Sequence, residues 1–425
     1  MNFLSDNWNV SGTDFDEFKE NLSKLANHTK FIRVNMDECH FLNITDIGTE
    51  LAAVCLSGKN LWKKTKNLLS LRKFEFAEDS LITCGYEEDV SKEAICNGLL
   101  LTTSKKYMSL ARNKKLLNSG KYIPVSEKAI NTIANRISYG GYEFSKNGLV
   151  RDIAIANGFS KPTPVYMIIR EDCDVENQKL FAIMSDKYRI ISQETMLNII
   201  DMIKKVSSTE LGTATCSYWE ISHSITKIYI DFAEHGKELA KEYGLPIDII
   251  PGIMLETSDI GDCSFRLKGY YKIDEHLTYM KNEYSQIHTG AVDEVRIVNE
   301  AVENIFPEYR TYPEKLANLM SIDLVDKSIP VPKKIKKLSS LYRDISRKIG
   351  LVAAIGKKRE KLLIDQMIES INPDLDYTAY DIAMNFLTLS SSINTKDKRV
   401  LESIAKVSKH VLDYYFEEYN EFLLF

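Results

Sequence analysis

The sequence predicts an α+β fold: a mixed, β-rich central region flanked by an α/β N-terminal region and a helical C-terminal region. Three observations carry that reading. Short runs of β-branched and aromatic residues crowd the stretch from Thr163 to Ile273. Helix-spaced apolar residues dominate after Asp274, and the first hundred residues alternate between the two patterns. The boundaries expected on this basis are 1–124, 125–275 and 276–425.

Taken in order, "TDFDEFKENLSKLANHT" opens on a Thr13-Asp14 cap and repeats Phe15, Phe18, Leu22 and Leu25 at helical spacing. "KFIRVNM" and "HFLNITDI" read as strands. "SEKAINTIANRISYGGYEF" is a helix capped by Ser126 and stopped by Gly140-Gly141. "TPVYMIIR" and "KLFAIMSDKYRII" are strands, the second leading into the helix "SQETMLNIIDMIKKV" with Ser192 as its cap. "SYWEISHSITKIYIDF" holds one or two strands, and "HGKELAKEYG" is a short helix. "GIMLET" and "SFRLKGYYKI" then form a hairpin across "SDIGDC". Beyond Asp274 the chain reads as helical. "IPVPKKI" is the linker candidate, and Leu338, Leu341, Ile345, Ile349 and Val352 share a helix face that Gly350 and Gly356 should weaken or break. The chain closes on an amphipathic helix with an aromatic tail, Tyr414 to Phe425, expected to dock on the body or on a partner chain.

Composition excludes several classes. No window approaches the roughly 18–20 apolar residues of a membrane span. The first residues carry neither the basic nor the apolar segment of a secretory signal. Seven single cysteines form no C-x-x-C pair, which points to reduced thiols in a cytosolic compartment. The net charge of −5 conceals segregation: Lys327 to Lys361 holds twelve basic residues against Asp344 and Glu360. "SKKYMSLARNKKLLNSGK" and "GKNLWKKTKNLLSLRK" each hold six basic residues and no acid. Such blocks are either solvated helix faces or a surface for a polyanion. On the second reading, Lys105, Lys106, Tyr107, Arg112, Lys333, Lys334, Lys336 and Lys337 contact phosphates.

Catalytic signatures are missing. There is no P-loop, G-x-G-x-x-G, H-E-x-x-H or G-x-S-x-G. The acidic loop "EDCDVEN" reads as solvated. "ETSDIGD" has the wrong spacing for a calcium loop, yet Glu256, Asp259 and Asp262 suit a Mg²⁺ site as well as a simple turn. No resident cofactor is expected otherwise.

"KLFAIMSDKYRIISQETMLNII" and "PGIMLETSDIGDCSFRLKGYYK" together resemble the phage and plasmid domain-of-unknown-function family numbered nine hundred and thirty-two. "SEKAINTIANRISYGGYEF" and "YTAYDIAMNFLTLSS" are similar to that family's flanking segments. The resemblance places its polar positions on Ser185, Asp186, Tyr188 and Arg189, and on Ser258, Asp259, Gly261 and Ser264. The chain departs from the pattern at Thr257, at Asp259 and at Tyr271-Lys272. The family implies a mobile-element setting, in DNA metabolism or host interaction, and no defined activity. Three functions follow as expectations. The first is nucleic-acid binding, by single-strand binding or annealing, in an oligomer built through the C-terminal helices. The second is a metal-dependent phosphodiester or nucleotide-processing enzyme, with Tyr188, Arg189 and Arg266 as catalytic candidates. The third is a virion or host-interaction protein.

Overall fold

A computed structural model describes residues 3–36, 39–47, 50–56, 99–102, 122–124, 126–137, 163–172, 177–273, 276–289, 293–326, 328–389 and 398–416. In chain order the elements are β1 (Asn9–Gly12), α1 (Phe15–Asn27), β2 (Thr29–Asn35), β3 (Cys39–Ile47), β4 (Glu50–Leu56), β5 (Leu99–Thr102), β6 (Tyr122–Pro124) and α2 (Glu127–Arg136). Next come β7 (Pro164–Asp172), β8 (Asn177–Ser185), α3 (Gln193–Glu210), β9 (Thr215–Ser222), β10 (Thr226–Asp231), α4 (Ala233–Glu242), β11 (Ile249–Thr257), β12 (Phe265–Ile273) and β13 (His276–Gln286). The rest are α5 (Glu294–Glu300), a π-helical turn (Ala301–Ile305), α6 (Glu308–Met320), β14 (Asp323–Val325), α7 (Val331–Lys348), α8 (Leu351–Ile355), α9 (Lys357–Glu369), β15 (Tyr377–Thr378), α10 (Ala379–Leu387), α11 (Lys398–Ser408) and a 3₁₀ turn (Lys409–Asp413).

The α+β class is as the sequence predicts. Its centre is a six-stranded antiparallel sheet in the order β1-β9-β10-β11-β12-β13. A three-stranded sheet, β2-β7-β8, stands beside it, and β4-β3-β5-β6 and β14-β15 form two more. The large sheet draws β1 from before residue 125 and β13 from after residue 275. The strand β13 departs from the helical expectation beyond Asp274. Its burial is uneven along its length, so "HLTYMKNEYSQ" lacks the alternation that marks a half-buried strand.

Strand alternation gives the large sheet two unlike faces. On one, Trp219, Ile228, Ile230, Ile253, Leu255, Leu267 and Tyr271 are buried in a single core with Phe18, Leu22 and Leu25 of α1 and Met196, Ile199, Ile200 and Ile203 of α3. Caps fix where those helices begin. The Asp14 carboxylate accepts from Asp16 N and Glu17 N, and Ser192 Oγ accepts from Thr195 N at 3.1 Å. Trp219 Nε1 donates to Asp14 O at 2.7 Å, locking α1 onto the sheet.

The other face carries charge. Cross-strand neighbours in one row are Glu220, Lys227, Glu256 and Arg266, alternating in sign across four strands. The next row runs Tyr218, Tyr229, Met254, Lys268 and Glu283. The amphipathic α11 packs on this face with Ala405 among Tyr229, Met254, Tyr270 and Tyr279.

The expected break in the C-terminal helix occurs at both glycines. Gly350 adopts φ +78° and Gly356 φ +85°, dividing the run into α7, α8 and α9. Leu338, Leu341, Ile345 and Ile349 are buried as expected, but Val352, beyond the break at Gly350, is exposed. The start of the aromatic tail docks on the body: Tyr414 and Phe416 are buried, and Tyr414 OH donates to Asp344 Oδ2 at 2.7 Å. Residues 417–425 lie outside the described residues. Among the described residues no helix is long and apolar enough to cross a membrane.

Candidate functional site

The two sequence motifs singled out above meet in space. After β8 the chain turns at Asp186-Lys187, and Tyr188 OH donates to Ser258 O at 2.7 Å in the β11–β12 connection. Burial first, and the nearby Asp259 charge second, push the Tyr188 phenol far above its ordinary value, so it is a neutral donor. Its ring stacks on His288 with centroids 5.0 Å apart, and His288 Nδ1 lies 3.1 Å from Arg189 O. Within the connection, Ser258 Oγ accepts from Asp262 N at 3.0 Å. Gly261 takes φ +78°, and a Cβ there would fall 2.5 Å from Met184 Cε. Ser185 O accepts from Tyr188 N at 3.0 Å, and Ser264 Oγ bonds Ser285 Oγ at 2.8 Å.

These contacts assign most motif residues to holding the junction together. Arg189 Nη1 turns back onto Asp186 O at 3.2 Å and Tyr188 O at 3.1 Å. Arg266 lies 3.7 Å from Glu256. The catalytic candidates Tyr188, Arg189 and Arg266 therefore do not converge on one point.

Nor do the three carboxylates. Glu256 lies on the charged sheet face, 3.0 Å from Lys227 Nζ. Asp259 is directed the other way, to Arg170 Nη2 at 3.4 Å, and Asp262 lies in the field of Lys128. Each carboxylate faces a different cation. Among the described residues no group of three His, Cys, Asp or Glu could hold a metal ion.

Sequence reasoning missed Arg170 and His223, and read Thr257 only as a departure from the family pattern. Arg170 is wholly buried. It donates to Thr29 Oγ1 and lies 3.4 Å from both His223 O and Asp259 Oδ2. Its signal was a lone arginine closing the apolar run "VYMIIR". His223 sits among Phe3, Trp8 and Phe181, with Nε2 2.5 Å from Phe3 O. Burial, reinforced by Arg170, lowers its pKa to about 3, so the ring is neutral and Nε2 carries the proton.

Beside this junction, at the end of the apolar sheet face, lies a cleft of about 290 Å³. The sheet row there runs Ile221, Thr226, Thr257, so two threonines form the floor where the rows above carry isoleucine and leucine. Leu22, Leu25 and Ala26 of α1, Phe31 of β2 and Met196 of α3 supply the walls. Ile190 to Gln193, just past the first motif, and Asp259 of the second complete it. Thr257 is buried, and its Oγ1 has no hydrogen-bond partner among the described residues.

The basic block on α7–α9 is separate in sequence from this cleft. Lys334 turns inward: it is fully buried and donates to Pro373 O at 2.8 Å and Leu375 O at 2.7 Å. Lys337 donates to Leu324 O at 2.7 Å, and burial with Lys333 nearby lowers its pKa to about 8. Lys334 therefore braces the helix, against the phosphate-contact expectation, while Lys337 stays half-buried. Lys333 and Lys336 are exposed, as are Arg343, Arg347, Lys348, Lys357, Lys358, Arg359 and Lys361. Lys336, Arg343 and Arg347 line one shallow groove with Ser339, Ser340 and Asp344. Lys105, Lys106, Tyr107 and Arg112 lie outside the described residues.

Comparison of the chain with protein-family models, with curated proteins and with solved structures returned no match.

Proposed function

We propose that this chain binds nucleic acid through the exposed face of α7, α8 and α9. The observation that carries the reading is the fate of the twelve basic residues between Lys327 and Lys361. Lys334 is consumed internally, Lys337 is half-buried against Leu324 O, Lys327 is not described, and the other nine are exposed. That density of cation, on a chain of net charge −5, is what a phosphate backbone attracts.

Two details favour binding over a merely solvated face. Lys357, Lys358 and Arg359 occupy the first turn of α9, where the helix dipole disfavours cations, so stability does not account for them. Along α7, Lys336, Arg343 and Arg347 follow a seven- then four-residue spacing that keeps them on one stripe. The resemblance to the phage and plasmid family is consistent with DNA as the polymer. Free thiols at Cys216 and Cys263 agree with the cytoplasm of a bacterial host as the setting.

Fluorescence anisotropy with labelled single- and double-stranded oligonucleotides, titrated with salt, tests the proposal. Affinity should fall linearly on logarithmic axes, with a slope of roughly −0.7 to −0.9 per phosphate contacted. Charge reversal of Lys336, Arg343 and Arg347 together should flatten that slope by about 2 to 3. Absence of binding at low salt, or a slope unchanged in the triple variant, rules this face out.

A further inference from the structure

We infer that the cleft between α1, α3 and the Thr226–Thr257 end of the sheet binds a neutral, flat heterocycle bearing N–H donors along one edge, a guanine base being the type. Its size, about 290 Å³, lies at the lower end of small-molecule sites. Its walls are apolar, with Leu22, Leu25 and Met196 on the helices and Phe31, 38% exposed, at the mouth. Such walls accept the faces of a planar ring. The lining polar groups Thr226, Thr257 and Asp259 fix the orientation of an edge.

The polar end decides the chemistry. Asp259 is the one ionised side chain among the described lining residues, and a carboxylate only accepts hydrogen bonds. Arg170 lies behind it at 3.4 Å, wholly buried, so the pair is neutral as a unit. An anion entering the cleft meets Asp259, and for an organic cation the Arg170 charge behind it offsets most of the attraction. A neutral molecule offering adjacent donors meets neither penalty. Thr257 Oγ1 supplies the second reason. A core built only for packing would carry an aliphatic residue there, as the sheet does one row above at Leu255. Here a hydroxyl is buried without a described partner, which is unfavourable unless something else supplies one. Gln193, at the rim on the first turn of α3, adds an amide that can donate to a ring carbonyl.

Isothermal titration of the full chain with guanosine tests this, using 1-methylguanosine, whose donor edge is blocked, as the control. The nucleoside has no phosphate, so the outcome is independent of the cationic face of α7–α9. Guanosine should bind and 1-methylguanosine should not. Thr257→Val should weaken guanosine by about tenfold, the worth of one hydrogen bond, while leaving the melting temperature equal or higher. Asp259→Asn should abolish binding. If that variant fails to fold because Arg170 loses its counter-charge, Thr257→Val and the methylated nucleoside decide the question. No heat with guanosine up to its solubility, equal binding of both nucleosides, or an unchanged affinity in Thr257→Val overturns the inference.

Discussion

His223 couples the stability of this chain to pH. A neutral histidine caged by Phe3, Trp8 and Phe181, and facing Arg170 and Lys128 with Asp6 opposing, resists protonation down to about 3. The unfolded chain takes up that proton near 6.5. Stability from this residue is therefore complete above 6.5 and lost progressively as pH falls towards 3. Urea unfolding at pH 7.5 and pH 4.5 should show a wild-type loss that His223→Gln reduces by roughly 2–3 kcal/mol. An equal loss in both proteins would place the acid sensitivity elsewhere. Single residues of this kind were the least legible part of the sequence. Asp259 stood out because it lies in an acidic turn, and Tyr188 through the family resemblance. Arg170 and His223 did not, because their meaning comes from partners far away in the chain: Thr29 for the first and Phe3 for the second.

Helices and strands were easier to read, because capping and periodicity are local. Ser126, Asp14 and Ser192 cap the helices they were expected to cap, and the β11–β12 hairpin closes across the expected turn. The sign of a lysine's role was not readable. Lys333 and Lys334 are neighbours of the same type, yet one is solvated and the other holds two backbone carbonyls. Helical rotation of about 100° per residue separates them, and only the packed structure says which side faces the 373–375 turn. Lys334→Met should cost roughly 3 kcal/mol in chemical denaturation, since two acceptors lose a charged donor. Lys333→Met should leave stability unchanged within about 0.5 kcal/mol. Similar losses in the two variants would contradict the division between bracing and surface lysines.

At the scale of the whole molecule, the large sheet is assembled from strands on both sides of the 125–275 segment. Local pattern cannot reveal pairing of this range, because alternation is a property of one strand and partnership is a property of two. A fragment spanning 125–275 retains β9 to β12 but loses β1 and β13, baring both sheet edges and part of the core against α1. Such a fragment should be recovered aggregated or without a cooperative unfolding transition. A soluble fragment that melts cooperatively would show that the segment is autonomous.

The pairing of β1 with β9 also sets a timetable. Asn9 and Glu220, hydrogen-bonded across that edge, are 211 residues apart. At a synthesis rate of about 5–20 residues per second, the first strand waits roughly 10–40 s on the ribosome before its partner emerges. Throughout that interval Trp8 and the apolar side of α1 have no sheet to cover them. The nascent chain thus carries an early, long-lived hydrophobic segment of the kind chaperones engage, and its pairing with β9 is the first that the large sheet can make, since β10 to β13 follow in the chain.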